Sequence, residues 1–133
     1  MSGAAHHSAV FARLDADPNL TVFDLGQVPT SNPPMKYAVV VSSPGDWSQS
    51  RFTGKKTRLT TTHWVYCVGT LPREALWVGD RTTAQLLDVQ LSIAGRNVFK
   101  PSEWSAGPVR NDLDGLFPLP FAVISFDLVS EPA

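Results

Sequence analysis

The chain has 133 residues, 43% of them hydrophobic and 17% charged, with a formal net charge of −1. That length predicts one domain able to bury roughly two-thirds of its unfolded surface. The near-zero charge gives the chain as a whole no electrostatic case for nucleic acid or an anionic membrane. Cys67 is the only cysteine, which excludes an intrachain disulfide and a cysteine-based metal site. No stretch approaches the roughly 18 apolar residues of a membrane helix, and MSGAAHHSAVFARLD has no secretory-signal pattern. The expected compartment is therefore the cytoplasm in which the chain is made.

Residues 4–17 predict a short helix with a narrow stripe of His7, Val10, Phe11 and Leu14, stopped at Pro18-Asn19. Leu20–Leu25 (LTVFDL) reads as a short strand. Val28–Pro34, with three prolines, is an extended connector. Lys36–Ser42 (KYAVVVS) is apolar on both faces and predicts a central strand.

The segment 43–58 (SPGDWSQSRFTGKKTR) has no periodicity and reads as a long polar loop. It sets Arg51, Lys55, Lys56 and Arg58 against Asp46 alone. Such a segment is either a solvated hairpin extension or a docking arm that orders on assembly. Its mixture of Trp47 and Phe52 with Arg51, Lys55 and Lys56 is the best local case for nucleic acid.

Leu59–Gly69 alternates as a strand, with Thr60, Thr62, Trp64, Tyr66 and Val68 on one side and Thr61, His63, Val65 and Cys67 on the other. A helix over 72–89 follows, with Pro72 in its first turn. Ala75, Leu76, Gly79, Thr83, Leu86 and Leu87 define its expected apolar face, opposite Glu74, Arg81, Gln85 and Asp88. Trp77 lies between the two faces, as a flank over the sheet edge or as a subunit contact. Residues 92–97 turn the chain, a short strand begins near Val98, and Lys100–Arg110 is a turn-rich crossing. Residues 111–120 form a loop carrying Asp112 and Asp114, and Phe121–Val129 (FAVISFDLV) is a long terminal strand.

This order predicts an α+β fold in a single domain over 1–133: a mixed, mainly antiparallel sheet of about five strands with two helices on one face. No catalytic constellation is legible. The carboxylates are scattered and read as solvated, and no Gly-x-Ser-x-Gly turn, Ser/His/Asp order or phosphate loop stands out. His6 and His7, being adjacent, point apart and make a poor chelate. His63 reads as a hydrogen-bonded sheet histidine. The residues thus predict no enzyme, cofactor or metal.

The succession of "DPNLTVFDLGQVPTSNPPMKYAVVV", a basic loop, "THWVYCVGTLPREALWVGDRTTAQLLDV", "KPSEWSAGPVRND" and a long last strand resembles the tail terminator (tail-completion) proteins of long-tailed bacteriophages, the siphophages, particularly those of phages of actinobacteria. The resemblance spans about Ala9 to Val129. It implies a virion protein at the head-proximal end of the tail, forming a hexameric ring that caps the finished tube. Its partners would be copies of itself, the tail tube protein and the head–tail connector or head-completion protein. Neither a membrane nor sequence-specific nucleic acid would be bound, although genome DNA would pass through the ring. The corresponding contact residues would be Arg51, Lys55, Lys56 and Arg58 of the basic loop, Asp112 and Asp114 of the acidic loop, and Trp77. The alternative is a small ligand- or nucleic-acid-binding domain that uses residues 47–58.

Overall fold

Runs of β-branched and aromatic residues with period-2 burial build the centre of the molecule. The computed structural model describes residues 3–49, 55–111 and 119–133. In chain order the elements are α1 (Gly3–Asp15), β1 (Val22–Asp24), β2 (Lys36–Ser42), β3 (Asp46–Gln49), β4 (Lys56–Gly69), α2 (Pro72–Leu86), β5 (Arg96–Val98), β6 (Ser102–Ala106), β7 (Arg110–Asn111) and β8 (Pro120–Pro132). One mixed sheet runs β1-β2-β4-β8-β5, with β3 paired to β4 and both β6 and β7 paired to β8. Only β1 and β2 are parallel; every other pairing is antiparallel.

The α+β class stands, but the sheet has eight strands, not about five. The additional strands β3, β6 and β7 come from segments read as the basic loop, the crossing, and the junction of the crossing with the acidic loop. Their side chains are almost all exposed, so they carry no buried–exposed alternation to read. Each is held through backbone bonds to a long neighbour, β4 or β8. Within the segment 43–58, read as a loop, residues 46–49 (β3) and the start of β4 instead pair as antiparallel strands with a register shift at Ser48/Gln49; residues 50–54 lie outside the described residues.

Both helices cover one face. There Val10 and Leu14 of α1 and Val78 and Leu86 of α2 pack with Ala38, Val40, Val65, Cys67, Ile124, Phe126 and Leu128. The buried stripe of α2 is Ala75, Val78, Thr82 and Leu86, rotated from the expected face. Leu76 and Leu87 point outward, at 57% and 39% exposure. Small residues win the inward positions because the helix lies close to the sheet. A methyl group on Gly69 would come within 2.6 Å of the Glu74 side chain and 2.7 Å of the Ala75 nitrogen. Glu74 reaches back to accept from the Thr70 backbone and hydroxyl, holding the first turn of α2.

Among the described residues, no helix covers the opposite face. Tyr37, Val39, Val68 and Phe121 are buried there beneath residues that include Val28 and Leu119, while Val41, Tyr66 and Val123 are half-buried.

Candidate functional site

Polar residues at core-facing positions of these apolar strands mark the site. On β4, Thr61 and His63 share a side with Val65 and Cys67. On β2 and β8, Ser42 and Ser130 continue the same helix-covered face. Thr61, His63, Ser130 and the helical His6 are all buried. A buried polar group without a partner costs about 1–3 kcal/mol, and here each finds one.

Together they form a continuous relay. Arg96 Nε lies 3.1 Å from Ser130 Oγ, and Ser130 Oγ 2.6 Å from His6 Nε2. His6 Nδ1 lies 2.8 Å from Thr61 Oγ1, and Thr61 Oγ1 2.6 Å from His63 Nε2. His63 Nδ1 lies 2.7 Å from Ser42 Oγ, which is 2.6 Å from His7 Nδ1. His7 Nε2 ends the chain, 2.6 Å from Asp24 Oδ1. All three histidines belong to it, each separated from the next by one hydroxyl.

The two ends set its direction. Arginine only donates and an ionised carboxylate only accepts. Arg96 therefore donates to Ser130, whose hydroxyl donates to His6 Nε2. His6 then carries its proton on Nδ1 and donates to Thr61, which donates to His63 Nε2. His63, protonated on Nδ1, donates to Ser42. Ser42 donates to His7 Nδ1, and His7 donates through Nε2–H to Asp24. Every link is satisfied with three neutral imidazoles. The Leu128 carbonyl, 3.5 Å from Thr61 Oγ1, is too distant to compete with His63.

Burial keeps the inner rings neutral. It pushes His63 down to about 3, and its coupling to the neighbouring His6 and His7 works in the same direction. His6 is lowered as well, first by burial and then by Arg96. His63 also stacks on Phe126, which stacks on Trp104, both at 5.4 Å between ring centres.

His6 and His7 do point apart, and among the described residues no cluster of His, Cys, Asp or Glu is placed to hold a metal. Yet the two are the ends of one loop that leaves α1, crosses β4 and β2, and returns. The outer end opens into a groove of about 550 Å³ between the start of α1 and the β2–β3 turn. Gly3 permits that approach, since a methyl group there would lie 2.5 Å from the Pro44 carbonyl oxygen.

Sequence reading found no Ser/His/Asp order, whereas the structure brings Ser42, His7 and Asp24 into hydrogen-bonded sequence. Ser42 also accepts from His63, so its oxygen is engaged on both sides. The carboxylates are not uniformly solvated either. Asp17 is buried and takes a two-point ion pair from Arg81, at 2.7 Å to each oxygen, and these bonds hold its carboxyl below the usual range. Asp127 accepts from Thr62 at 2.7 Å. Cys67 is a buried thiol that burial pushes up to about 12, too high for a nucleophile.

The basic loop divides. Lys55 and Lys56 are exposed at the hairpin. Arg58 is half-buried and turned back onto its own chain, 3.7 Å from Glu131 and over Phe99. Arg51, Asp112 and Asp114 lie outside the described residues. Trp77 is half-buried, with Lys36 Nζ 3.9 Å from its ring centre and Arg81 at 5.4 Å. Arg96 anchors the hairpin: it donates to the Thr57 and Ser130 carbonyls at 2.9 and 3.0 Å and lies over Trp47.

The relay was missed because its bonds join residues as far as 124 positions apart. The available signal was parity, which put Thr61 and His63 on the same side as Val65 and Cys67. No protein-family model matches the chain, and no curated protein matches it. No helix of the described residues is long and apolar enough to cross a membrane.

Proposed function

We propose that the chain is a structural subunit that closes into a ring on the end of a phage tail tube, stops its growth and presents a surface to the head connector. The observation that carries this reading is the projecting β3–β4 hairpin. All four residues of β3 are exposed, and Lys55 and Lys56 extend the exposed surface at the start of β4. An anchored, solvent-exposed, basic arm suits a subunit that reaches a neighbour. The sheet face without helices adds half-buried Val41, Trp64, Tyr66 and Val123, a second surface of the kind that assembly covers. A closed ring needs two different patches per subunit, and the arm and the open face are two. The resemblance in element order supplies the virion setting.

Light scattering on the purified protein, with and without tail tubes, tests this. A ring, or a ring formed only on tubes, supports the proposal. A monomer under both conditions overturns it. Trp47 beside Lys55 and Lys56 favours a second reading, a domain that binds single-stranded nucleic acid by stacking and phosphate contacts. A monomer that binds oligonucleotides with steep salt dependence would establish that reading instead.

A further inference from the structure

The outer end of the relay holds a hydroxyl, an imidazole and a carboxylate in the order of a nucleophile, its base and an orienting acid. Three elements supply them. Ser42 ends β2 on the helix-covered face. Asp24 lies opposite Val40 in the parallel β1–β2 pair, so it shares that face, beside the residue two before Ser42. His7, from the first turns of α1, bridges the two: Ser42 Oγ lies 2.6 Å from its Nδ1 and Asp24 Oδ1 2.6 Å from its Nε2. All three side chains line the groove of about 550 Å³. We propose that this groove is a hydrolytic site for small uncharged carboxylic esters, with Ser42 as nucleophile, His7 as its general base and Asp24 orienting His7.

The rest of the relay decides where the Ser42 proton points. Ser42 has one hydroxyl proton and two imidazole neighbours, His7 and His63. The chain of donors that begins at Arg96 leaves the His63 proton on Nδ1, so His63 donates to Ser42 and the Ser42 proton is left for His7. A hydroxyl oxygen has two lone pairs. His63 takes one, and the other remains for attack. Asp24 holds the His7 proton on Nε2, which leaves Nδ1 free to accept. The two ring nitrogens have exchanged the places they take in the Ser-His-Asp triad of serine proteases, and the proton path is the same. His63 and Asp24 are thus positioning residues on either side of the reacting pair.

The reaction balances as ester plus water giving acid plus alcohol. Ser42 Oγ bonds to the ester carbonyl carbon while its proton passes to His7 Nδ1, and the imidazolium rests against Asp24. The carbon–oxygen bond to the alcohol then breaks, and the alcohol leaves with the proton from His7. Water attacks the acyl-Ser42 carbon and gives a proton to His7 Nδ1. The bond to Oγ breaks, Ser42 recovers that proton, and the carboxylic acid departs. The groove sets the substrate class. Leu25, Val40, Val41 and Pro44 give it apolar walls, and the Asp24 carboxylate disfavours anionic substrates. Gly3 and Ala4, at the start of α1, also line it, and the positive end of the helix dipole favours the negative charge that develops on the ester oxygen. The activity belongs to the single subunit, so it stands or fails apart from ring formation.

The test is hydrolysis of p-nitrophenyl acetate by the full chain, with a fluorophosphonate probe to mark the nucleophile. The expected result is turnover above the rate without protein and a probe adduct that peptide mass spectrometry places on Ser42. Ser42→Ala should abolish both, and His7→Gln should lower kcat by about 10²-fold or more. Asp24→Asn, at the exposed edge, should lower kcat about tenfold or more with KM unchanged, and Asp24→Glu should recover part of the loss. A purely structural role for Asp24 would move the melting temperature and leave kcat of the folded protein alone. The adduct is read on the unaltered chain, so it decides the matter even if Ser42→Ala does not fold. No adduct on Ser42, hydrolysis that persists in Ser42→Ala, or an unchanged kcat in Asp24→Asn would overturn the proposal.

Discussion

The two faces of the sheet solve opposite problems. The helix-covered face is closed by apolar packing and carries its polar groups as a satisfied relay, with Thr61, His63, His6 and Ser130 all buried. On the other face, which no helix among the described residues covers, Trp64, Tyr66, Val41 and Val123 are half-buried. The first face holds its residues in place. The second, with the arm, leaves large side chains partly exposed. The comparison teaches that α1 is held both by its buried stripe of Val10 and Leu14 and by His6 and His7, whose rings hydrogen-bond to the sheet.

If stability resides on the closed face, a charge placed there should unfold the protein. Leu86 is fully buried and Ile124 is 3% exposed. Leu86→Asp or Ile124→Asp buries an unpaired carboxylate, and a loss of about 4 kcal/mol or more is expected. Chemical denaturation measures it. A folded protein of near-normal stability would break the comparison at its base.

The relay supplies the next largest effect. His63→Phe preserves the stack on Phe126 but leaves Ser42 and Thr61 each short of a partner. Two such groups predict a loss of about 2–4 kcal/mol. A Trp64→Thr change on the open face, where Thr60 and Thr62 already stand, should cost much less. Equal losses would erase the distinction between the faces.

Acid should weaken the closed face selectively. His63 titrates near its ordinary 6.5 in the unfolded chain but near 3 when folded. Between these values the unfolded chain holds a proton that the folded chain refuses. Stability from this residue is therefore full above about pH 6.5 and falls as pH falls, by about 1.4 kcal/mol per pH unit. His6, also lowered, adds to the same side. Denaturation midpoints from pH 7.5 to 4.5 should show the decline, and His63→Phe should flatten it. An unchanged slope in that variant would assign the acid sensitivity elsewhere, with the buried His6 the next place to look.

How much of this was legible follows from element length and side-chain exposure. β2, β4, β8 and α2 are long or strongly patterned, and the sequence places them within a few residues of their observed ends. β8 runs to Pro132 rather than Val129, and that difference hid Ser130, the link between Arg96 and His6. β3 and β6 carry exposed side chains and depend on a partner's backbone, so no local pattern announces them. The α2 face was misjudged because Leu76 and Leu87 outweigh Val78 and Thr82 in apolar area, while the helix's close approach to the sheet favours small residues. Hydrogen bonds between α1 and the last strand have no local signature, so the relay required coordinates.

The smallest effect on stability comes from the arm, and it separates folding from assembly most sharply. Replacing Arg51, Lys55, Lys56 and Arg58 by glutamine removes four charges from the basic segment. Surface substitutions rarely move stability, so the melting temperature should shift by no more than about 2 °C. Most of that shift should trace to Arg58, which faces Glu131 and Phe99 within its own subunit. Lys55→Gln with Lys56→Gln alone should leave melting unchanged. Contacts repeat around a ring, so a small loss at each one accumulates, and the double variant should already impair ring formation or tube capping. Wild-type assembly should weaken over the same range as salt rises, because exposed charges are screened within about 10 Å at 0.1 M. If the quadruple variant assembles and caps tubes normally, the arm is a solvated extension. The open face around Trp64 and Tyr66 then becomes the interface to test, and Trp64→Thr, nearly silent in stability, is the substitution to test it with.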